Sequence, residues 1–152
     1  MDPLMAGAVH TPAGGGAPND AFGLSRRIHV QGNAHIPSVW EEDIPEGAGP
    51  PRHIHTNAAE VFVVLRGRLL FEADGHQFHA DAGDTVVIPM GTVHAFKGAA
   101  PEGSVALITL SPGGGEGLFV AATDRGLGPQ SDPADIAALG AEFDVTFAGP
   151  PL

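Results

Sequence analysis

The chain has no cysteine among its 152 residues, which excludes disulfides, thiolate metal sites and cysteine nucleophiles together. Any metal it binds must be held by histidine and carboxylate. Positive charge is scarce as well. Seven Lys and Arg stand against eighteen Asp and Glu, a formal charge of −11; this repels phosphate backbones and anionic lipid surfaces and argues against nucleic acid as a partner. The surplus reads mainly as solubility. No apolar run reaches the roughly 18 residues of a membrane span, and Asp2 and Pro3 stand where a signal peptide would carry basic residues. A soluble, cytoplasmic protein is expected.

What the chain has in abundance is turn chemistry. Its 22 Gly and 14 Pro make up nearly a quarter of the sequence, yet 43% of residues are hydrophobic, too many for a disordered protein. That mixture suits short strands joined by tight turns, an all-β class. Residues 1–20 are expected to be a flexible tail, because Thr11 to Asn19 is rich in glycine and proline and poor in large apolar side chains. Residues 21–125 read as one barrel, and 126–152 as an extension carrying a short helix that packs on it.

Within the barrel, strand candidates are Arg27–Val30, Ser38–Glu42, Glu60–Arg66, Leu69–Ala73, Gln77–Ala80, Thr85–Ile88, His94–Lys97, Val105–Leu110 and Leu118–Ala121. Arg66-Gly67 and Asp74-Gly75 are turn dipeptides that tolerate positive φ, and each is expected to close a hairpin. Ser131 or Asp132 is a candidate N-cap, Pro133 suits the first turn and Gly140 reads as a stop, which predicts one short helix. The alternating Phe143–Phe147 stretch suggests an edge strand.

The chemistry gathers at four residues. His53 and His55 are two apart, so on a strand both rings leave the same face as a chelating pair. Glu60 lies an odd number of residues beyond His55 and would face the other way on an unbroken strand; Thr56-Asn57 must therefore bend the chain. After the bend, Glu60, Phe62 and Val64 share the inward face, with Val61, Val63 and Leu65 outward. A second run, Gly83 to His94, has a turn, a β-branched strand and a Pro–Gly corner, and His94 can arrive opposite the first pair. Three imidazoles and one carboxylate suit a divalent transition metal, Fe, Mn, Ni, Co, Cu or Zn, and leave positions for water or substrate.

The segment GAGPPRHIHTNAAEVFVVLRG, Gly47 to Gly67, resembles the first cupin motif: Gly, five residues, His-x-His, four residues, Glu, six residues, Gly. GDTVVIPMGTVHAFKG, Gly83 to Gly98, is similar to the second, departing only at Gly98, where the family often has Asn. The two motifs and the 15 residues between them span about a third of the chain, and that spacing resembles compact single-domain cupins. Trp40-Glu-Glu, Ser111-Pro-Gly-Gly and Phe147 to Leu152 look like the quercetin-dioxygenase-like branch. The resemblance implies a jelly-roll barrel, the double-stranded β-helix, with one metal on His53, His55, Glu60 and His94. It also implies that Glu60 takes a proton from the substrate during turnover.

The remaining histidines, His10, His29, His35, His76 and His79, read as ordinary surface or core residues. Phe62, Val64, Phe71, Phe96 and Leu107 are candidates for lining a substrate cavity, although barrel interiors are apolar in any case. Trp40, the one tryptophan, is a further pocket candidate. Arg52 should point away from the metal as a solvated rim charge, and Glu41, Glu42 and Asp43 likewise read as rim solvation. The leading functional expectation is a dioxygenase acting on an aromatic or enolic small molecule with O₂. The alternatives are a redox-neutral isomerase or polyketide-type cyclase, and a non-catalytic binding module. The outward apolar strip Val61, Val63 and Leu65 suggests a homodimer.

Overall fold

In the computed structural model, which describes residues 7–152, two antiparallel sheets face one another. The first runs in the order β1 (Ala17–Asn19), β2 (Arg26–Val30), β3 (Ser38–Ile44), β10 (Ser104–Ser111), β5 (Ala59–Arg66) and β8 (Thr85–Ile88). The second runs β11 (Val145–Gly149), β4 (Arg52–His55), β9 (His94–Gly98), β6 (Arg68–Ala73) and β7 (His76–Asp81). Consecutive strands often fall in different sheets, as a jelly roll requires. Period-two alternation then sets the packing: along β5, Glu60, Phe62 and Val64 are buried while Leu65 is exposed. Phe62, Phe71 and Phe96 meet edge-to-face or tilted between the sheets, within 5.0–6.0 Å of one another.

Two turns show how local chemistry routes the chain. Asp74 and Gly75 both have positive φ, the type I′ geometry that matches strand twist, and they join β6 to β7 with Ala73 opposite His76. Arg66-Gly67 does not close a hairpin, contrary to expectation. It carries the chain from β5 in one sheet to β6 in the other, and Gly67 is required because a Cβ there would meet Ser104 and the Gly103 carbonyl at 2.5–2.6 Å. Thr56-Asn57 is the bend the sequence requires, and it too switches sheets, from β4 to β5.

Two helices follow the barrel strands, where one was expected. Leu118–Ala121, read as a strand, lies in α1 (Gly117–Arg125). A four-residue apolar run fits either period; what decides is Gly126, which caps α1 in the left-handed region while Leu127 N–H reaches the Ala122 carbonyl at 2.9 Å. α2 (Pro133–Glu142) starts as expected, with Asp132 accepting from Ala134 N–H at 2.8 Å and Pro133 in the first turn. Gly140 does not stop it. A Cβ at Gly140 would lie 2.7 Å from the Val145 carbonyl and 2.9 Å from Phe147, so this glycine lets α2 press onto β11. Leu118, Ala122, Leu139 and Val145 form a second apolar cluster between these elements. Part of the expected tail is also structured: Ala17–Asn19 pairs with β2, and Thr11 Oγ1 donates to the His29 carbonyl at 2.6 Å. No helix among the described residues is long and apolar enough to cross a membrane.

Candidate metal centre

His53 and His94 are direct cross-strand partners on β4 and β9, and His55 follows two residues on along the same face. Glu60 comes from the opposing sheet, at the start of β5. One nitrogen or carboxylate oxygen from each of these four residues lies within 4.8 Å of all the others. The ring centroids are 4.3 Å apart for His53 and His94, 5.0 Å for His53 and His55, and 5.5 Å for His55 and His94. An ion with bonds of about 2.1 Å spans ligand atoms up to ~4.2 Å apart, so drawing in by a few tenths of an ångström completes the set.

The hydrogen bonds settle which nitrogens face inward. His53 Nδ1 is 2.8 Å from the Pro51 carbonyl and His94 Nδ1 is 2.9 Å from the Thr92 carbonyl. A carbonyl only accepts, so both Nδ1 atoms carry hydrogen and each Nε2 faces the cluster, the outer-partner arrangement typical of metal-bound imidazole. His55 Nε2 is buried without a hydrogen-bond partner. It lies 3.2 Å from Glu60 Oε2, off the direction of a hydrogen bond. A buried nitrogen left unpaired costs about 1–3 kcal/mol, and a cation at the centre of the cluster removes that cost. The residues present therefore fit a divalent transition metal by donor type, orientation and spacing.

Electrostatics point the same way. Burial is the main force on His53, with His94 adding to it, and together they push its pKa down to about 3; its lone pair is free at neutral pH. Burial would raise the Glu60 carboxyl, but the charge and close contact of His55, followed by the hydrogen bond and charge of His94, outweigh it and hold Glu60 well below the usual carboxylate range. Burial also opposes protonation of His94, yet the 2.9 Å bond to Glu60 and the charge of Glu60 raise its pKa above 6.5. A proton on His94 Nε2 in this contact occupies the place a metal cation would take.

A cavity of about 210 Å³ opens beside the cluster. It is lined by His55, Asn57, Ala58, Leu110, the Pro112–Gly115 loop and, from the far end of the chain, Glu142, Phe143 and Asp144. The Pro112–Gly115 wall is held by Glu116, whose buried carboxylate accepts from Ser38 Oγ, from Gly32 N–H at 2.8 Å and from Gly114 N–H at 3.2 Å. The other wall is held by Thr56, which donates through N–H and Oγ1 to the Asp144 carbonyl at 2.9 and 3.1 Å.

None of the six expected pocket residues borders this cavity. Phe62, Val64, Phe71 and Phe96 are buried in the core between the sheets. Leu107 alternates to the outer face of β10, between inward Ala106 and Ile108. Trp40 is also core: it is 2% exposed, its Nε1 donates to Glu42 at 3.0 Å, and its ring meets Phe119 edge-on at 5.5 Å. One rim charge needs correction as well: Glu42 is buried against Arg26 at 3.0 Å. Arg52 stays partly exposed and outside the cluster, paired with Glu72 at 2.6 Å and donating to the Pro150 carbonyl at 2.8 Å. The cavity walls escape sequence reading because Leu110, Pro112–Gly115 and Phe143 lie tens of residues from the histidines; the Ser111-Pro-Gly-Gly run was their one local signal.

The model of the Cupin domain family matches residues 40–116, just over half of the chain and a span holding all four clustered residues. An uncharacterised protein of Methanocaldococcus jannaschii is 35% identical over 60 residues, covering 40% of this chain and 48% of that protein; the match thus spans about half of that relative's length. Among solved structures, an RmlC-like cupin from Shewanella frigidimarina is similar at a TM-score of 0.58 and 24% identity, over 69% of this chain and 92% of that one. The cupin domain of Schizosaccharomyces pombe Cnp3 is similar at 0.54 and 16% identity, over 72% and 75%. KdgF from Halomonas sp. is similar at 0.52 and 22% identity, over 59% and 79%.

Proposed function

The chain belongs to the cupin domain family, and on that premise we propose that it is a metal-dependent dioxygenase acting on a small aromatic or enolic molecule held beside His55. The observation that supports this reading is the His53, His55, Glu60 and His94 cluster with a cavity of mixed polar and apolar lining against it. A divalent transition metal bound there would supply Lewis acidity toward a substrate oxygen and, if redox-active, electrons for chemistry with O₂.

The chain's own residues account for the rest. His55 is the ligand residue that borders the cavity, so substrate approaches from its side. Leu110 and Phe143 keep water from the approach. Glu60 is ionised throughout the neutral range, which suits it to holding the metal; to accept a proton at its carboxylate oxygen it must first give up the imidazole contacts that hold its pKa down. Oxygen uptake is measured with flavonols, catechols and other enediols after Fe, Mn, Ni or Co is restored to metal-free protein. Uptake with at least one metal, abolished in Glu60→Gln, is expected. No uptake with any of them defeats the dioxygenase reading, and anaerobic turnover with zinc would replace it with a redox-neutral isomerase or cyclase.

We also infer a two-fold dimer through the outer face of the larger sheet, where Val39, Thr109, Val61 and Val87 form one cross-strand row and Val87 is 58% exposed. Sedimentation as a monomer at working concentration defeats it.

A further inference from the structure

We infer that the cavity beside His55 takes an uncharged or cationic single-ring or short-chain ligand and turns away anionic ones, with Asp144 setting that preference. The inference rests on the metal-site reading above and adds the substrate's size and charge.

Size follows from the walls. At about 210 Å³ the cavity falls below the roughly 300–1,000 Å³ typical of sites for drug-sized molecules. One ring with a few substituents fills it.

Charge follows from the placement of the seven Lys and Arg. Recognition of a carboxylate or phosphate calls for Arg, Lys or a nest of backbone N–H groups, and only seven Lys and Arg exist. Arg26 is buried on Glu42. Arg27 is paired with Glu41, Arg52 with Glu72 and Arg68 with Asp81, at 3.1, 2.6 and 2.7 Å. Arg66 ends β5, six residues or about 20 Å from Glu60 at its other end, and lines a separate shallow depression with Asp43, Glu46 and Glu102. Lys97 follows inward-facing Phe96 on β9 and so points out of the sandwich. Of the seven Lys and Arg, the one near the cavity is Arg125, and its two terminal nitrogens are forked on Glu142 at 2.7 and 2.8 Å.

The Arg125–Glu142 pair is therefore neutral as a unit. Asp144 is different. It is exposed and lines the cavity, and its side chain makes no hydrogen bond or ion pair among the described residues, so its carboxylate stands at the mouth without a cationic partner. The turn holds it there: Asp144 has φ of 59°, and both bonds from Thr56 go to its backbone carbonyl. Asn adopts that φ readily, so Asp144→Asn removes the charge and leaves the turn in place.

The experiment is calorimetric binding, on the full chain loaded with redox-inert zinc, of three single-ring vicinal diols with the same chelating head: dopamine (cationic), catechol (neutral) and 3,4-dihydroxybenzoate (anionic). Exposed charge pairs act weakly, so dopamine is expected to bind about tenfold more tightly than the benzoate. The ratio should fall to within about threefold in Asp144→Asn, and also in 0.5 M salt, which shortens the range of the field to a few ångströms. Glu142→Gln, which releases Arg125, should likewise move the ratio toward the anion. Equal affinities in the unmodified protein, tighter binding of the benzoate, or a ratio unchanged by Asp144→Asn each overturns the inference. If zinc is held but no diol binds, the cavity is not the ligand site; if zinc itself is not held, the metal reading beneath it fails first.

Discussion

Arg26 and His55 are both polar side chains removed from solvent on the same sandwich, yet their surroundings differ. The Arg26 guanidinium donates to Glu42 at 3.0 Å, to Asn19 at 2.8 Å and to the Ala21 carbonyl at 3.1 Å, and it lies 3.8 Å from the centre of the Phe119 ring. Glu42 is satisfied in turn by Trp40. Around His55, three imidazoles crowd one carboxylate and a buried nitrogen has no partner. The first cluster is closed and ties β2, β3 and α1 together. The second holds donor capacity that the protein alone does not use. Burial of polar groups marks both; unspent coordination marks the one built for a ligand. His29 Nε2 is also unpaired, but only Glu41 lies near it, at 3.7 Å, so an orphan atom points to a metal only where further ligands converge.

The contrast breaks most visibly at Arg26. Removing one member of a buried pair leaves the other charge uncompensated, so Arg26→Met should cost about 3–5 kcal/mol of unfolding free energy while the folded fraction still binds one metal per chain. Denaturant titration together with metal analysis checks both halves. His55→Gln should do the reverse. It removes an unpaired nitrogen, so stability should change by no more than about 1 kcal/mol, whereas metal affinity should fall by more than the ~100-fold that loss of an outer partner can cause. A competition titration with a chelator of known affinity reads that loss.

The pH dependence sharpens the comparison at His94. Its pKa is raised in the metal-free fold, so the stabilisation it brings is complete below 6.5 and is lost as pH rises through the raised value. Metal displaces the inner proton, so affinity for metal should run the other way, climbing with pH until His94 has lost that proton and then levelling. Thermal unfolding in chelator and in excess metal, from pH 6 to 9, should give curves that diverge as pH rises; parallel curves would place the proton elsewhere. The smallest effect is expected at Phe119→Leu, which removes the ring under Arg26 and the edge contact with Trp40 at a cost of about 1–2 kcal/mol and leaves metal binding unchanged.

Local chemistry made much of this legible from residues alone. The His53–His55 spacing, the bend at Thr56-Asn57, the Asp74-Gly75 hairpin and the inward set Glu60, Phe62 and Val64 each follow from strand alternation or turn preference. What escaped depends on long-range register. Glu42 looked like a rim charge because its partner, Arg26, is opposite it only once β2 and β3 pair. Trp40 looked like a pocket residue because its burial against Phe119 is long-range, while its N–H is taken by Glu42, two residues on along the same face. Leu118–Ala121 is apolar at both periods, and the Gly126 cap together with packing against Ala21 and Leu139 makes it helical. Most of the cavity wall comes from segments distant from His55 in sequence, Leu110 to Gly115 and Glu142 to Asp144, and the Ser111-Pro-Gly-Gly run is the one local pattern that points to it.

The account stands or falls on whether one ion occupies the centre of the four side chains. Crystals of the protein grown with cobalt or zinc, with data collected on both sides of the metal's absorption edge, should give one anomalous peak bonded at ~2.0–2.2 Å to Nε2 of His53, His55 and His94 and to a carboxylate oxygen of Glu60. A metal-saturated crystal with no peak there, or with its peak on other residues, would contradict it.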